Sequence, residues 1–536
     1  MTSNASLPWK SKLAEVLLIF AAFFLQGAWP VPDVNEPYYL GKAIHYWNPD
    51  WVQGDFFLES ADTHAVFYFS FGWLSLWLAP AALAWTGRVL TWGLLAWSWQ
   101  RLSWAVVPRR HFAVLSGALF ACLSERCQMA GEWVIGGVEA KGFAFVLVFL
   151  ALEALVRDRW NRVWLLLGGA SLFHVLVGGW ACIATGFAWL RLGRERPPLR
   201  AMAPGLLGGF LLSLPSLIPS LFLDSGLDSQ TVLRAREIYV YYRLPHHLIL
   251  QEFKPHFILR FALLIAAWVL LCRAIGSRGP EARLQAFVAG ALGIALVGAV
   301  LSPLVVLDPP AAARVLRYYW FRLSDVAVPL GVALFGALLV NRLFHTRPRV
   351  GQLGLAVAAA IAALHLGTLA IERCSVTVPR ADAKVDPLGG YASWRAICES
   401  IAASHEIPKD ARFLTPIDAS TFKWHARRAE VVTRKEIPQD AASIVQWWER
   451  LREIHGIERD APQRYWHGSL AELGAERLKQ LGAKYQADYV LTEAPGLELP
   501  PTPARPEKIA APKLPLEILY QNEGYAVYRL PDGHEP

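Results

Sequence analysis

Apolar stretches of about 20 residues, separated by short basic clusters, fill the chain from residue 13 to about residue 371; beyond that, helix-like and strand-like patterns alternate. At about 20 residues per crossing, the first part predicts a polytopic α-helical membrane domain of roughly 11–12 spans. The run at 13–29 follows Lys10 and Lys12 and reads as an uncleaved first span with its N-terminus inside. Arg109 and Arg110, and the Arg-rich clusters at 157–162, 191–200, 273–283 and 342–349, mark cytoplasmic loops by the positive-inside rule. A last span at 350–370 then leaves the tail outside. The interval 65–107 resists this scheme, because its apolar content suggests two helices where parity needs one. Its portion 88–104, with Trp92, Trp97, Trp99, Arg101 and Trp104, suits a helix lying in the membrane interface. The alternative is that Arg109 and Arg110 face outward.

The tail predicts helices near 393–404, 441–455 and 470–482, with strands at 412–415, 489–492, 516–520 and 525–529, a small α/β domain. Composition agrees with the division. A chain of 536 residues with 54% apolar and only 18% charged residues is neither disordered nor an ordinary soluble enzyme. Residues 372–536 hold 24 acidic and 22 basic side chains, whereas residues 1–371 carry the whole basic excess. That excess points to a bilayer and not to nucleic acid. We therefore expect a membrane domain over 1–371, with an outer loop at 30–64, and an extracytoplasmic domain over 372–536. Cys122, Cys127, Cys182 and Cys272 lie in or beside apolar segments, and only Cys374 and Cys398 could pair outside the membrane.

The chemistry collects on the outer side. The loop 30–64 holds six carboxylates, Asp33, Glu36, Asp50, Asp55, Glu59 and Asp62, against Lys42. Carboxylates near span ends are costly, which invites a functional reading of those nearest the ends; a solvated loop with Asp33 as a helix N-cap is the plainer alternative. In the next outer segment Glu132, Glu139 and Lys141 interrupt an apolar, Gly-rich stretch and could clamp a substrate or form a structural ion pair. His174 breaks a long apolar run into two halves and could be a ligand or a satisfied turn residue. Arg234, Arg236, Arg243, His246, His247, Arg314, Arg317 and Arg322 go against the positive-inside tendency; a lipid-phosphate ligand would account for them, and pairing with outer-leaflet headgroups or with Asp224, Asp228 and Glu237 is the plainer alternative. In the tail, the aromatic and basic patch Thr421-Phe422-Lys423-Trp424-His425-Ala426-Arg427-Arg428 reads as a docking surface, and no Gly-rich phosphate loop, zinc spacing or nucleophile elbow occurs there.

An acidic first outer loop, Arg-bearing outer segments and an external α/β tail together resemble the GT-C class of membrane glycosyltransferases. Four stretches, Asp33-Val34-Asn35-Glu36, Gly131-Glu132-Trp133-Val134-Ile135-Gly136-Gly137-Val138-Glu139-Ala140-Lys141, Arg243-Leu244-Pro245-His246-His247-Leu248 and Thr421-Phe422-Lys423-Trp424, resemble an uncharacterised bacterial membrane family with a domain of unknown function. The GT-C resemblance implies a polyprenyl-phosphate sugar donor, an acceptor glycan, lipid or protein, a place in the bacterial inner (cytoplasmic) membrane, and catalytic carboxylates: Asp33 or Glu36 as general base or metal ligand, with Asp55 assisting or binding a divalent metal such as Mg or Mn together with Asp33. The chain departs from that class in having no Asp-x-Asp pair. A transporter or flippase of a lipid-linked or anionic solute, with Glu132, Glu139, Lys141 and His174 along a mid-membrane path, is the second reading, and a non-catalytic scaffold the third. The transport reading is weakened because the two halves of the membrane part show no internal repeat.

Overall fold

The computed structural model describes residues 8–383, 385, 391–456, 466–501 and 506–531. Two compact units emerge, and they do not divide the chain into consecutive blocks. One comprises residues 1–29, 86–222 and 236–376; the other gathers residues 30–85, 223–235 and 377–536. The acidic loop therefore groups with the tail.

The first unit is helical throughout. Its centre is the helix Ala140–Val156, whose run Ala-Lys-Gly-Phe-Ala-Phe-Val-Leu-Val-Phe-Leu-Ala-Leu-Glu-Ala-Leu-Val is buried on nearly every face. An all-round apolar helix of this kind has no solvent face to offer and belongs inside a bundle. Helices Trp160–Phe173 and Leu199–Phe222 pack backbone to backbone. Gly205 and Gly209, four positions apart, make this contact: a Cβ on Gly209 would fall 2.3 Å from the Trp164 carbonyl oxygen, and one on Gly168 2.1 Å from that of Gly209. Small residues at this spacing let apolar helices approach where no hydrophobic driving force separates lipid from partner. Asn161 clamps the same crossing, donating to the Ala201 carbonyl at 2.9 Å and accepting from the Gly205 N–H at 2.8 Å.

Among the described residues five helices are long and apolar enough to cross a membrane: Leu199–Phe222, Pro255–Ile275, Glu281–Leu307, Arg322–Thr346 and Pro348–Ser375. This is fewer than the 11–12 that apolar content suggested, because several apolar runs are cut into shorter helices. His174, for example, separates Trp160–Phe173 from Val175–Arg191. The interval 65–107 also differs from expectation. It contains a short helix, Ala65–Gly72, and then one 27-residue helix, Pro80–Val106. The stretch 88–104 is part of that long helix, and it buries Arg88, Trp92 and Trp99 completely, with Trp92 Nε1 donating to the Gly136 carbonyl at 2.9 Å, while Trp97 stays exposed. Helices Trp9–Gly27 and Pro348–Ser375 end side by side, where Arg373 donates to the Gln26 carbonyl at 2.8 Å and stacks 3.6 Å from the Trp29 ring centroid.

The second unit is built on a five-stranded sheet in the order Ala429–Glu430, Arg412–Leu414, Tyr489–Glu493, Tyr525–Arg529, Ile518–Gln521. The first three strands are parallel and the last two join antiparallel, with Phe413 opposite Tyr489 and Val490 opposite Tyr528. Helix Tyr391–Ala403 lays Trp394, Ile397, Cys398 and Ile401 on this sheet, the i, i+3, i+4, i+7 stripe of an amphipathic helix, against Phe413, Phe422 and Tyr525. The predicted helix at 441–455 is present as Ala441–His455, capped by Asp440. The 470–482 helix is a short 3₁₀ turn followed by Gly474–Tyr485. From the acidic loop come helices Glu36–Trp47 and Phe56–Glu59, and Ala65–Gly72 follows directly after it. Val52, Phe57 and Leu58 pack on Ala429 of the edge strand. All six cysteines are free thiols, so Cys374 and Cys398 form no bridge.

Candidate functional site

In the second unit, the residues after the first helix form a tight turn before Glu36–Trp47. The Asp33 N–H donates to Glu36 Oε2 at 2.7 Å and the Glu36 N–H to the Asp33 carbonyl at 2.9 Å, so Glu36 fixes the backbone of the aspartate. The N-cap of this helix is Asn35, not Asp33. That frees the Asp33 carboxylate for another partner, and it has one: Arg380 grips it with both prongs, Nε to Oδ1 at 2.7 Å and Nη2 to Oδ2 at 2.8 Å. The Val34 N–H adds a third donor at 2.7 Å. Asp33 is wholly buried, while about a third of the Arg380 side chain (32%) is exposed.

Asp55 sits in a different network. Its Oδ1 caps Phe56–Glu59 by accepting the Leu58 N–H at 2.9 Å. Its Oδ2 accepts the Glu430 N–H at 3.2 Å and lies 3.3 Å from Lys423 Nζ. Lys423 also meets Glu430 Oε1 at 2.6 Å and Glu436 Oε2. One ammonium thus faces three buried carboxylates. Burial alone would strip its proton, but Asp55, Glu430 and Glu436 together outweigh that and push its pKa well above the usual lysine range. Burial raises Glu430 and Glu436 in turn, and Lys423 offsets this only in part. The Thr421–Arg428 patch is accordingly not a docking surface at its centre, since Phe422, Lys423 and Trp424 all point into the protein.

A third group joins the loop to the tail. His64 Nδ1 is 2.9 Å from Asp62 Oδ1 and 2.9 Å from Gln439 Nε2, and Thr63 donates to Gln439 Oε1 at 2.7 Å. Lys42, the one lysine of the loop, donates to the Ser60 carbonyl at 2.6 Å and lies 4.0 Å from Asp62. Burial lowers its pKa, and Asp62 offsets this incompletely.

In the helical unit, Glu132, Glu139, Lys141 and His174 do come together. Lys141 Nζ stands 3.2 Å from Glu132 and 3.3 Å from Glu139, and 4.1 Å above the Trp133 ring. The other Glu132 oxygen meets Arg322 Nε at 2.7 Å. Arg322 Nη1 lies 3.4 Å from His174 Nε2, while the His174 ring caps helix Val175–Arg191. Of the residues assigned to lipid phosphate, Arg322 is therefore held by Glu132. His247 donates from Nδ1 to the Ala130 carbonyl at 2.5 Å, and burial, reinforced by His246 beside it, drives its pKa down to about 3. It is a neutral N–H donor at pH 7. Arg236, Arg243, His246, Arg314 and Arg317 belong to the helical unit, and Arg234 to the other. Arg314 and His246 are exposed.

Sequence reasoning missed Asp325, Tyr319 and Arg380. Asp325, fully buried, accepts the N–H groups of Met129, Ala130 and Glu132 at 2.9, 2.8 and 3.3 Å, and so shapes the Glu132 turn. An aspartate inside a long apolar helix was itself a signal. Tyr319 adopts φ +54°, rare for a bulky residue, and is held there by the Tyr239 hydroxyl at 3.0 Å and the Arg322 guanidinium 3.8 Å from its ring. No pattern marks Arg380.

Asp33 and Asp55, named as metal ligands from sequence, direct their oxygens at protein cations and N–H donors, and among the described residues no three His, Cys, Asp or Glu side chains are grouped to hold an ion. This arrangement does not suit Mg or Mn, and no step below is routed through a metal.

The fold thus defines a largely helical chain with five membrane-length apolar helices and a small sheet-containing unit that incorporates its acidic loop. Residues 392–454 match the family model described as Domain of unknown function (DUF6798). The matched segment contains Lys423, Glu430 and Glu436, but their partner Asp55 lies outside it. No curated protein matches the chain.

Proposed function

We propose that the protein is a polytopic membrane glycosyltransferase, resident in a bacterial inner membrane, that moves a sugar from a polyprenyl-phosphate donor to an acceptor glycan, lipid or protein on the extracytoplasmic face. The observation that carries this reading is Asp33: a buried carboxylate six residues past the first long helix, in direct contact with a guanidinium. Glycosyl transfer from a phosphate-linked donor uses a carboxylate at the acceptor hydroxyl and a cation at the departing phosphate, on either side of the transferring sugar. The carboxylate takes the acceptor hydroxyl proton as the new C–O bond forms at the anomeric carbon. The bond from that carbon to the phosphate oxygen breaks, and the departing polyprenyl phosphate takes the electron pair. Cations lower the cost of the charge that develops on it. In this reading Glu36 holds the backbone of Asp33. The test is release of polyprenyl phosphate by the purified protein, with and without Asp33→Asn.

One observation favours a second reading, transport of an anionic or lipid-linked solute: the buried Glu132, Glu139, Lys141, Arg322 and His174 network, of the kind that lines translocation paths. Its charges are mutually compensated, which equally suits a structural clamp. Flux across sealed vesicles with and without Glu132→Gln distinguishes the two.

A further inference from the structure

The Asp33 and Arg380 pair poses a problem for the proposed chemistry, since a carboxylate gripped by two guanidinium prongs is a poor base. We infer that Arg380 masks Asp33 until a phosphate group draws it away, so that donor binding itself uncovers the carboxylate. The inference rests on the reading of Asp33 as the base.

Three features support it. The two partners are unequal, because Asp33 is wholly enclosed while about a third of Arg380 (32%) reaches solvent. An arriving ligand therefore meets the guanidinium first. The fork that fits a carboxylate fits a phosphate equally well, and a phosphate offers more oxygens and more charge. Asp33, lastly, does not depend on Arg380 for its position: the Val34 N–H holds its side chain at 2.7 Å, and Glu36 accepts its backbone N–H at 2.7 Å. Removing the guanidinium leaves the carboxylate in place without that counter-charge, which makes it more basic.

The location suits a lipid-linked phosphate. Asp33 follows the end of helix Trp9–Gly27 by six residues, and Arg380 follows the end of Pro348–Ser375 by five. Those two helix ends meet through Arg373 and Gln26. Both groups are tied by connections of no more than six residues to those ends, and Pro348–Ser375 is long and apolar enough to cross a membrane. Arg380 thus serves the chemistry by taking the donor phosphate and uncovering Asp33.

The test uses the full-length protein in detergent. Asp33 is coupled to glycinamide with a carbodiimide and Arg380 is modified with phenylglyoxal, each read by peptide mass spectrometry. The arms are no addition, inorganic phosphate, and a short-chain polyprenyl phosphate. We expect the lipid phosphate to raise Asp33 labelling severalfold and to protect Arg380. The same response to inorganic phosphate at equal concentration keeps the inference and assigns recognition to the free anion. In Arg380→Ala, Asp33 is labelled fully and independently of phosphate. Asp33 labelling that ignores every phosphate species, or that stays low in Arg380→Ala, overturns the inference. Shifted labels without Asp33-dependent transfer sink the glycosyltransferase reading alone; Asp33-dependent transfer with fixed labels sinks this inference alone.

Discussion

Lys423 Nζ stands 3.3 Å from Asp55 Oδ2, so a side chain of the acidic loop completes a charge cluster whose other members, Glu430 and Glu436, come from the tail. The loop and the tail are one folding unit for this reason as much as for the apolar contacts of Val52, Phe57 and Leu58 with Ala429. A tail expressed without residues 30–85 would bury Lys423 short of one partner and leave that apolar patch uncovered.

The cluster predicts an order of damage. Lys423→Met strands three buried carboxylates, a loss of about 3–5 kcal/mol by the usual cost of breaking a buried pair. Asp55→Asn keeps the cap on Phe56–Glu59 and leaves Lys423 two carboxylates, so it should cost less than about 1 kcal/mol. Thermal unfolding of the full-length protein, followed by tryptophan fluorescence, checks this. Equal losses would contradict the cluster.

Glu436 gives the unit a pH dependence of defined sign. Burial raises its carboxyl above the ordinary 4.5, with Lys423 opposing incompletely, so the folded state holds the proton more tightly than the unfolded state. Such a group contributes stability that is fully present below its unfolded value and is lost as pH rises through the folded one. Between about pH 5 and 8, the midpoint temperature of the unaltered protein should therefore decline, and Glu436→Gln should flatten that decline. Asp62 acts in the opposite sense: burial pushes it up, but His64 and Lys42 outweigh that and hold it below 3.8, so its contribution is present at neutral pH and fades only in stronger acid. Identical slopes for Glu436→Gln and the unaltered protein would contradict this account.

The helix crossing at Gly205 and Gly209 tests the helical unit. Gly209→Ala would place a methyl 2.3 Å from the Trp164 carbonyl oxygen, whereas a methyl on Gly179 would meet nothing within 4 Å. Forcing the two backbones apart should cost about 1–3 kcal/mol, as overpacking does. Gly179→Ala should be neutral or slightly stabilising, because alanine favours the helix. The share of monodisperse protein after heating in detergent separates the two variants.

Glu132 lies between Lys141 and Arg322, and Glu132→Gln leaves Arg322 without its 2.7 Å carboxylate while Lys141 keeps Glu139. We expect a loss of about 3 kcal/mol or more, as for a broken buried pair. If the network is a clamp, sealed vesicles carrying this variant show no change in solute flux. A flux that requires Glu132 would turn the account toward transport.

How much of this was legible depends on the range of the interactions involved. The helix at 441–455 and the strand at 525–529 were readable to the residue because period and caps are local, and the stripe of Trp394, Ile397, Cys398 and Ile401 follows from the 3.6-residue repeat alone. Glu132, Glu139, Lys141 and His174 stood out because ionisable groups are costly among apolar neighbours, and the structure does bring them together. The break at His174 was read, but the number of membrane-length helices was not, since apolar content alone does not say how many runs are cut into shorter helices. Nor was the inward turn of Lys423, whose partner Asp55 comes from a distant stretch of the chain. Arg380 was invisible for the same reason, lying 347 residues from Asp33. Composition also favoured an interfacial role for the tryptophans at 88–104, where packing of Trp92 and Trp99 into the helical core prevailed.

The most direct test of the central claim is release of polyprenyl phosphate from a mixed pool of polyprenyl-phosphate sugars by the purified protein, supplied with membrane extract as a source of acceptors, with and without Asp33→Asn. The account predicts release by the unaltered protein, retained in the presence of a chelator, and none by a folded Asp33→Asn variant. Undiminished release by Asp33→Asn, or no release from any donor in the pool, would contradict it.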